Sequence, residues 1–338
     1  MHMQYVQGEI LTRNGFLTGY LEYEDGHGTR EIRKGTPPKK PVAKGLILPT
    51  CVNTHTHLGD SFIRFKHLQL PRTVKDLVAP PAGLKHRLLK EASEQEILAG
   101  IQRSLNEMAT AGTSCFYDFR EGGLLGVYQL RKAMQSCRLK SVILSRPSQL
   151  AYDKQQLDQL LENSDGIGLS SISDWEAAEI EKLASHVRRK KKLFALHASE
   201  VDREDIDRVL DLHPGLLVHM IAATKADLER VTDAQIPIVV CPRSYLFFRL
   251  KHNLPLMKKT GVTLLLGTDN AMINAPNVLE DVKVLQKTRV FSLEELLTMV
   301  TYTPRKALNL DDGIQARDLS EEFIVLERDS LKLLHVSK

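Results

Sequence analysis

Leu46-Ile47-Leu48-Pro49-Thr50-Cys51-Val52-Asn53-Thr54-His55-Thr56-His57 is an apolar run that closes on two histidines one residue apart. The run reads as a strand over 46–53, and a strand points residues i and i+2 to the same side. Both imidazoles therefore leave the C-terminal end of one short, stiff element together, which supplies half of a four-donor metal site. By itself a His-x-His triplet is a weak signal in a chain of 338 residues with 12 histidines. Its meaning depends on the rest of the chain.

Further along, short apolar runs repeatedly end on a polar residue. Leu193-Phe194-Ala195-Leu196 ends in His197, with Glu200 three residues on; Leu216-Leu217-Val218 ends in His219; Val262 to Thr268 ends in Asp269. Buried parallel strands read as nearly continuous apolar runs, and in an eight-stranded α/β barrel a residue at a strand's C-terminal end faces the catalytic mouth. Three His and one Asp suit a divalent transition metal, and a catalytic site keeps one position open for water.

On Asn53-Thr54-His55-Thr56-His57, His197-Ala198-Ser199-Glu200, His219 and Gly267-Thr268-Asp269, the chain resembles the amidohydrolase superfamily, within it the mononuclear deaminase branch (adenosine, cytosine and guanine deaminases and their relatives). Cys241-Pro242-Arg243-Ser244 and Thr301 to Leu308 support the resemblance, which runs over essentially the whole chain.

The apolar runs alternate with amphipathic helices, the order that argues for a parallel sheet, closed or doubly wound. Strands are expected near 46–53, 113–118, 139–145, 166–170, 193–197, 215–219, 236–241 and 262–268. The expected fold class is α/β, a (β/α)8 TIM-type barrel over 46–311. Tyr5 to Thr12, Phe16 to Tyr23, Thr29 to Arg33 and Glu322 to Glu327 read as further strands. The resemblance implies that segments 1–45 and 312–338 join as a small β-sandwich. Residues 61–93 form a long, basic connection after the first barrel strand, and loops of that length on such a scaffold are commonly lids or binding loops.

Composition agrees with a globular protein, at 42% hydrophobic and 26% charged, with a formal net charge of +4. The basic run Arg188 to Lys192 reads as a solvated helix end rather than a nucleic-acid patch. Cys51, Cys115, Cys137 and Cys241 show no C-x-x-C spacing. With no signal peptide and no apolar run long enough to span a bilayer, the expectation is a cytoplasmic protein without nucleic-acid or membrane partners, acting on a small molecule, with a homo-oligomer as the default assembly.

The resemblance assigns roles. His55, His57, His197 and Asp269 are the expected ligands of one divalent metal, zinc or alternatively iron, whose bound water is acidified toward neutrality. Glu200 is the expected general acid/base, His219 orients the attacking oxygen, and Asp269 doubles as proton acceptor. Each has a blander reading: His219 as a packed histidine, Asp269 as a helix cap, Glu200 as an acid at a helix start. The expected strand 166–170 contains no lysine, where binuclear relatives bridge two metals, which favours a single metal. Arg120, Glu121, Arg146 and Arg243 are the candidate substrate residues, a guanidinium being able to grip a carboxylate or phosphate. Tyr245 and Asn270 to Ala275 depart from the family pattern where selectivity is set.

The activity this implies is hydrolytic deamination of an amino-substituted heterocycle such as a purine, pyrimidine or pterin. The alternatives are hydrolysis of a cyclic amide or carbon–chlorine bond, and a non-catalytic metal-binding relative.

Overall fold

The computed structural model describes residues 3–24, 28–310 and 322–337. The first strands are β1 (Gln4–Thr12), β2 (Gly15–Glu24), β3 (Gly28–Arg33), β4 (Ala43–Pro49) and β5 (Cys51–His57). They are followed by β6 (Thr113–Arg120), β7 (Lys140–Ser145), β8 (Gly166–Leu169), β9 (Leu193–Ala198) and β10 (Leu216–His219). The last are β11 (Ile238–Val240), β12 (Leu264–Leu266), β13 (Asp269–Asn270), β14 (Phe323–Leu326) and β15 (Leu333–Val336).

A nine-stranded parallel sheet runs β12-β11-β10-β9-β8-β7-β6-β5-β13. Its two end members are nearly continuous in sequence, so the sheet curls into a TIM-type barrel. Only Gly267 and Thr268 separate them: β12 pairs with β11, while β13 pairs with β5 through Asp269 opposite Thr56 and Asn270 opposite His57. The Thr268 amide donates to the His55 carbonyl at 3.0 Å across the seam. β10, β11 and β12 are buried at every position, which is why they read as unbroken apolar runs.

The expected strand 46–53 is two strands. Residues 46–49 belong to β4, which pairs with β1 and β14, and the barrel strand β5 begins at Cys51 and runs on to His57. Pro49 offers no amide to a ladder, so the chain changes sheets there, with only Thr50 between. The expected boundary at 311/312 lies outside the described residues.

The terminal strands make one six-stranded sheet, order β15-β14-β4-β1-β2-β3, in place of two separately hydrogen-bonded layers. In a flat sheet β2 and β15, four places apart, would stand roughly 19 Å from each other. Yet the Tyr23 hydroxyl lies 2.8 Å from His335 Nε2, and its ring is 4.9 Å from that of Phe323. The sheet is therefore rolled, helped by register shifts at Glu22/Tyr23 and Val325/Leu326 that bend and twist the strands. Its inside is Val6, Ile10, Leu21, Tyr23, Ile47, Phe323 and Val325; Leu11, Leu46, Leu48, Ile324 and Leu326 face the other way and join the barrel core.

Gly267 is where the seam is tightest. A Cβ there would stand 2.5 Å from the His55 Cβ and 3.0 Å from its backbone N and O. Overpacking of this kind typically costs about 1–3 kcal/mol. Gly267→Ala is expected to lower the urea midpoint accordingly, and an unchanged midpoint would show that the seam separates freely.

Candidate metal centre and active site

β5 carries His55 and His57 into the barrel mouth, with exposures of 0% and 3%. β9 brings His197, β10 His219 and β13 Asp269. His55 Nε2 lies 3.2 Å from His197 Nε2 and 3.3 Å from Asp269 Oδ1, and His57 Nε2 lies 3.6 Å from the same oxygen. His219 also belongs to the cluster, since it, His55 and Asp269 offer atoms within 4.8 Å of one another.

The donor set fits a metal. Four donors about 2.1 Å from a common centre at tetrahedral corners sit roughly 3.4 Å apart, close to the separations here. The outer nitrogens fix the tautomers: His197 Nδ1 donates to the Leu169 carbonyl at 2.6 Å and His57 Nδ1 to the Phe119 carbonyl at 3.0 Å. A carbonyl only accepts, so the Nε2 lone pair of His57 faces the Asp269 carboxylate and that of His197 faces His55 Nε2. Protonation does not relieve this readily. Burial holds His55 down to about 3 and His197 well below an ordinary imidazole. Burial would raise the Asp269 carboxyl, but the hydrogen bond with His55 and the charges of His219, His55 and His57 keep it well below the usual range.

Supporting groups hold Asp269, His57 and His219. Ser244 Oγ donates to Asp269 Oδ2 at 2.5 Å. Glu121 Oε1 lies 2.9 Å from His57 Nδ1 and 2.6 Å from Lys85 Nζ. Burial opposes ionisation of Glu121, yet Lys85 and His57 hold its carboxyl well below the usual range. Tyr245, 1% exposed, accepts from the Cys241 amide at 3.0 Å and lies 3.4 Å from His219 Nδ1. The backbone turns sharply at Ser199, His219 and Asp269, whose φ values are 45°, 75° and 60°. Such left-handed residues cost of the order of 1–3 kcal/mol each and persist where surrounding structure imposes them.

Glu200 stands just past the Ser199 turn, with Oε1 3.5 Å from His219 Nε2. Burial raises its carboxyl above the ordinary range, with His219 opposing. A cleft of about 600 Å³ opens here, lined by His57, His197, Glu200, His219, Asp269 and Arg146 among others. Residues 72–75 and 78–80 of the long connection form part of its wall, as does Lys85.

The other sequence candidates divide. Arg146 lines the cleft, whereas Glu121 sits behind His57. Arg120 and Arg243 do not line it. Arg120 is tied to the Gly126 carbonyl and Gln129, and Arg243 to Asp281, so both brace the barrel rim. Tyr245, expected among selectivity positions, is packed behind His219 instead. Sequence reasoning missed Lys85, Asp60 and Glu204. Asp60 accepts from Asn270 at 2.7 Å and from the Met272 amide at 2.8 Å, and burial pushes it up to about 7. Glu204 accepts from the Ser199 amide at 2.9 Å and braces the turn before Glu200. No motif announces these three; only Glu204, close behind the His-x-x-Glu pair, carried a local hint.

Comparison with known proteins gives the same picture. The profile of the amidohydrolase family matches residues 46–314. The chain is 32% identical over 327 residues to an uncharacterized protein of Methanocaldococcus jannaschii, covering 90% of this chain and 82% of that one. It is 26% identical over 376 residues to a 5-methylthioadenosine/S-adenosylhomocysteine deaminase of Caldicellulosiruptor saccharolyticus, covering 97% and 82%. Among solved structures, a zinc-bound adenosine deaminase from Xanthomonas campestris shares the fold with a TM-score of 0.74 at 14% identity, covering 97% of this chain and 85% of that one. A parallel barrel with a buried imidazole and carboxylate cluster at its mouth, matched over most of its length by that profile, places the chain in the amidohydrolase family, as a hydrolase acting on carbon–nitrogen bonds.

Proposed function

We propose that this protein is a mononuclear, metal-dependent aminohydrolase that replaces the amino group of an amino-substituted heterocycle (purine, pyrimidine or pterin) by oxygen and releases ammonia. The observation that carries the reading is Glu200, a half-buried carboxylate on the cleft wall beside the donor cluster but outside it.

His55, His57, His197 and Asp269 would hold the metal, zinc in the first instance and iron as the other candidate, given borderline nitrogen and oxygen donors. When bound, such an ion supplies Lewis acidity that brings water near neutral pKa. The rest falls to side chains. Glu200 takes a proton from the attacking water and returns it to a ring nitrogen, a task that suits a carboxyl raised by burial. His219, its Nδ1 beside the Tyr245 hydroxyl, turns Nε2 toward Glu200 and steadies the attacking oxygen. Asp269 accepts the second proton, which leaves with ammonia. Water and the amino heterocycle thus become a keto heterocycle and ammonia, with no net proton change before ammonia is protonated. The absence of lysine from β8 (Gly166–Leu169) favours this single-metal chemistry over hydrolysis of a cyclic amide. A small-molecule substrate and a cytoplasmic setting complete the reading.

Ammonia release across a panel of amino heterocycles is the direct test, and reaction only with a cyclic amide or chloro compound would replace deamination by the alternative. Glu200→Gln is expected to lower kcat by about 10²–10⁴-fold while bound metal, measured by elemental analysis, stays at one per chain. Retained turnover would remove the proton-shuttle role. Chelation is expected to abolish activity and lower the thermal midpoint, with both restored by added zinc. His57→Ala should lose metal and His219→Asn should keep it; metal loss in the latter would make His219 a ligand.

A further inference from the structure

The cations that line the cleft are not alike. Lys85 is paired with Glu121 at 2.6 Å, and Arg203 is paired with Asp227 at 2.7 and 2.8 Å. Arg146 is 6% exposed, and its one side-chain hydrogen bond runs from Nε to the Gly168 carbonyl at 3.3 Å. Among the described residues no carboxylate lies within 4 Å of it. Glu121 and Asp174 act on it only from farther off, and Glu121 already carries Lys85 and His57 on one oxygen.

A buried cation without a counter-ion is a costly arrangement that natural structures rarely keep unless something pairs with it. The guanidinium offers five donors in a planar fork, and only Nε is used by the protein. Its position tells where a partner would stand. Gly168 precedes Leu169, whose carbonyl fixes His197, so Arg146 shares the cleft wall with the metal ligand of β9. Arg72 and Lys75, on the connection that lines the cleft, likewise have no carboxylate within 4 Å among the described residues. Fork geometry suits a carboxylate or a phosphate better than a neutral carbonyl.

We propose that Arg146 is the anion anchor of this cleft, and that the substrate is an amino heterocycle bearing a carboxylate or phosphate group. The inference rests on the deaminase reading for the heterocycle but not for the anion. It is tested by binding to the full-length, metal-loaded Glu200→Gln protein, using two matched pairs: adenosine 5′-monophosphate with adenosine, and pterin-6-carboxylate with pterin. In at least one pair the anionic member should bind tenfold or more tighter, weaken with added salt, and thereby name the group. Adding Arg146→Met should erase that preference, weakening the anionic member at least tenfold more than the neutral one, and Arg146→Lys should restore part of it. Should the Met variant not fold, Arg146→Gln serves the same comparison. No preference in either pair, or equal weakening of both members, overturns the proposal. A preserved anion preference with no ammonia released by the wild-type protein would overturn the deaminase reading alone.

Discussion

Two imidazole lone pairs and a carboxylate converge at the mouth of this barrel, with the His55 Nε2 beside them and little water to screen them. That convergence is the constraint around which the rest is arranged. Electron-rich groups in a poorly solvated space repel, and burial denies His55 and His197 the protons that would relieve them. A divalent cation would resolve that conflict. The outer nitrogens of His57 and His197 are tied to main-chain carbonyls, so those two rings cannot turn their lone pairs elsewhere.

Barrel closure and site assembly are one event. Asp269 belongs to the two-residue strand that pairs with the strand of His55 and His57, so the pairing that seals the sheet also sets the carboxylate against the imidazoles. Gly267 permits the approach by having no side chain to hold the strands apart. The connection after β5 then packs over the mouth. It contributes Lys85, whose charge keeps Glu121 ionised behind His57, and Asp60, which holds Asn270. Polar groups behind the donors thus balance one another, while Glu200 and Arg146 are left facing the cleft. One is a carboxyl that burial raises, the other a guanidinium with no carboxylate within 4 Å among the described residues.

The sequence was read well where the signal was local. Apolar runs leading to His197, His219 and Asp269 are strands because a short continuous apolar run, covered on both faces, is a signal spanning only a few residues. Seven of the eight expected barrel strands fall on observed ones, and the misread run at 46–53 fails at Pro49, where two sheets meet. Long-range geometry was not legible. The rolled terminal sheet depends on Tyr23 meeting Phe323 and His335, residues three hundred positions away, and on register shifts that no composition announces. Arg120 and Arg243 looked like substrate residues because they follow strands, but the fold spent them on Gln129 and Asp281.

The amino-acid sequence by itself determined which donors lie at strand ends, and so the barrel, the family and the kind of metal site. Strand periodicity and hydrophobic burial are nearest-neighbour properties of the chain, and they carry that much. Tertiary structure alone decided which charges are cancelled and which remain. Lys85 finds Glu121 and Arg243 finds Asp281, while Arg146 finds no carboxylate within 4 Å among the described residues. Charge pairing depends on distance in space, and only the closed barrel fixes those distances.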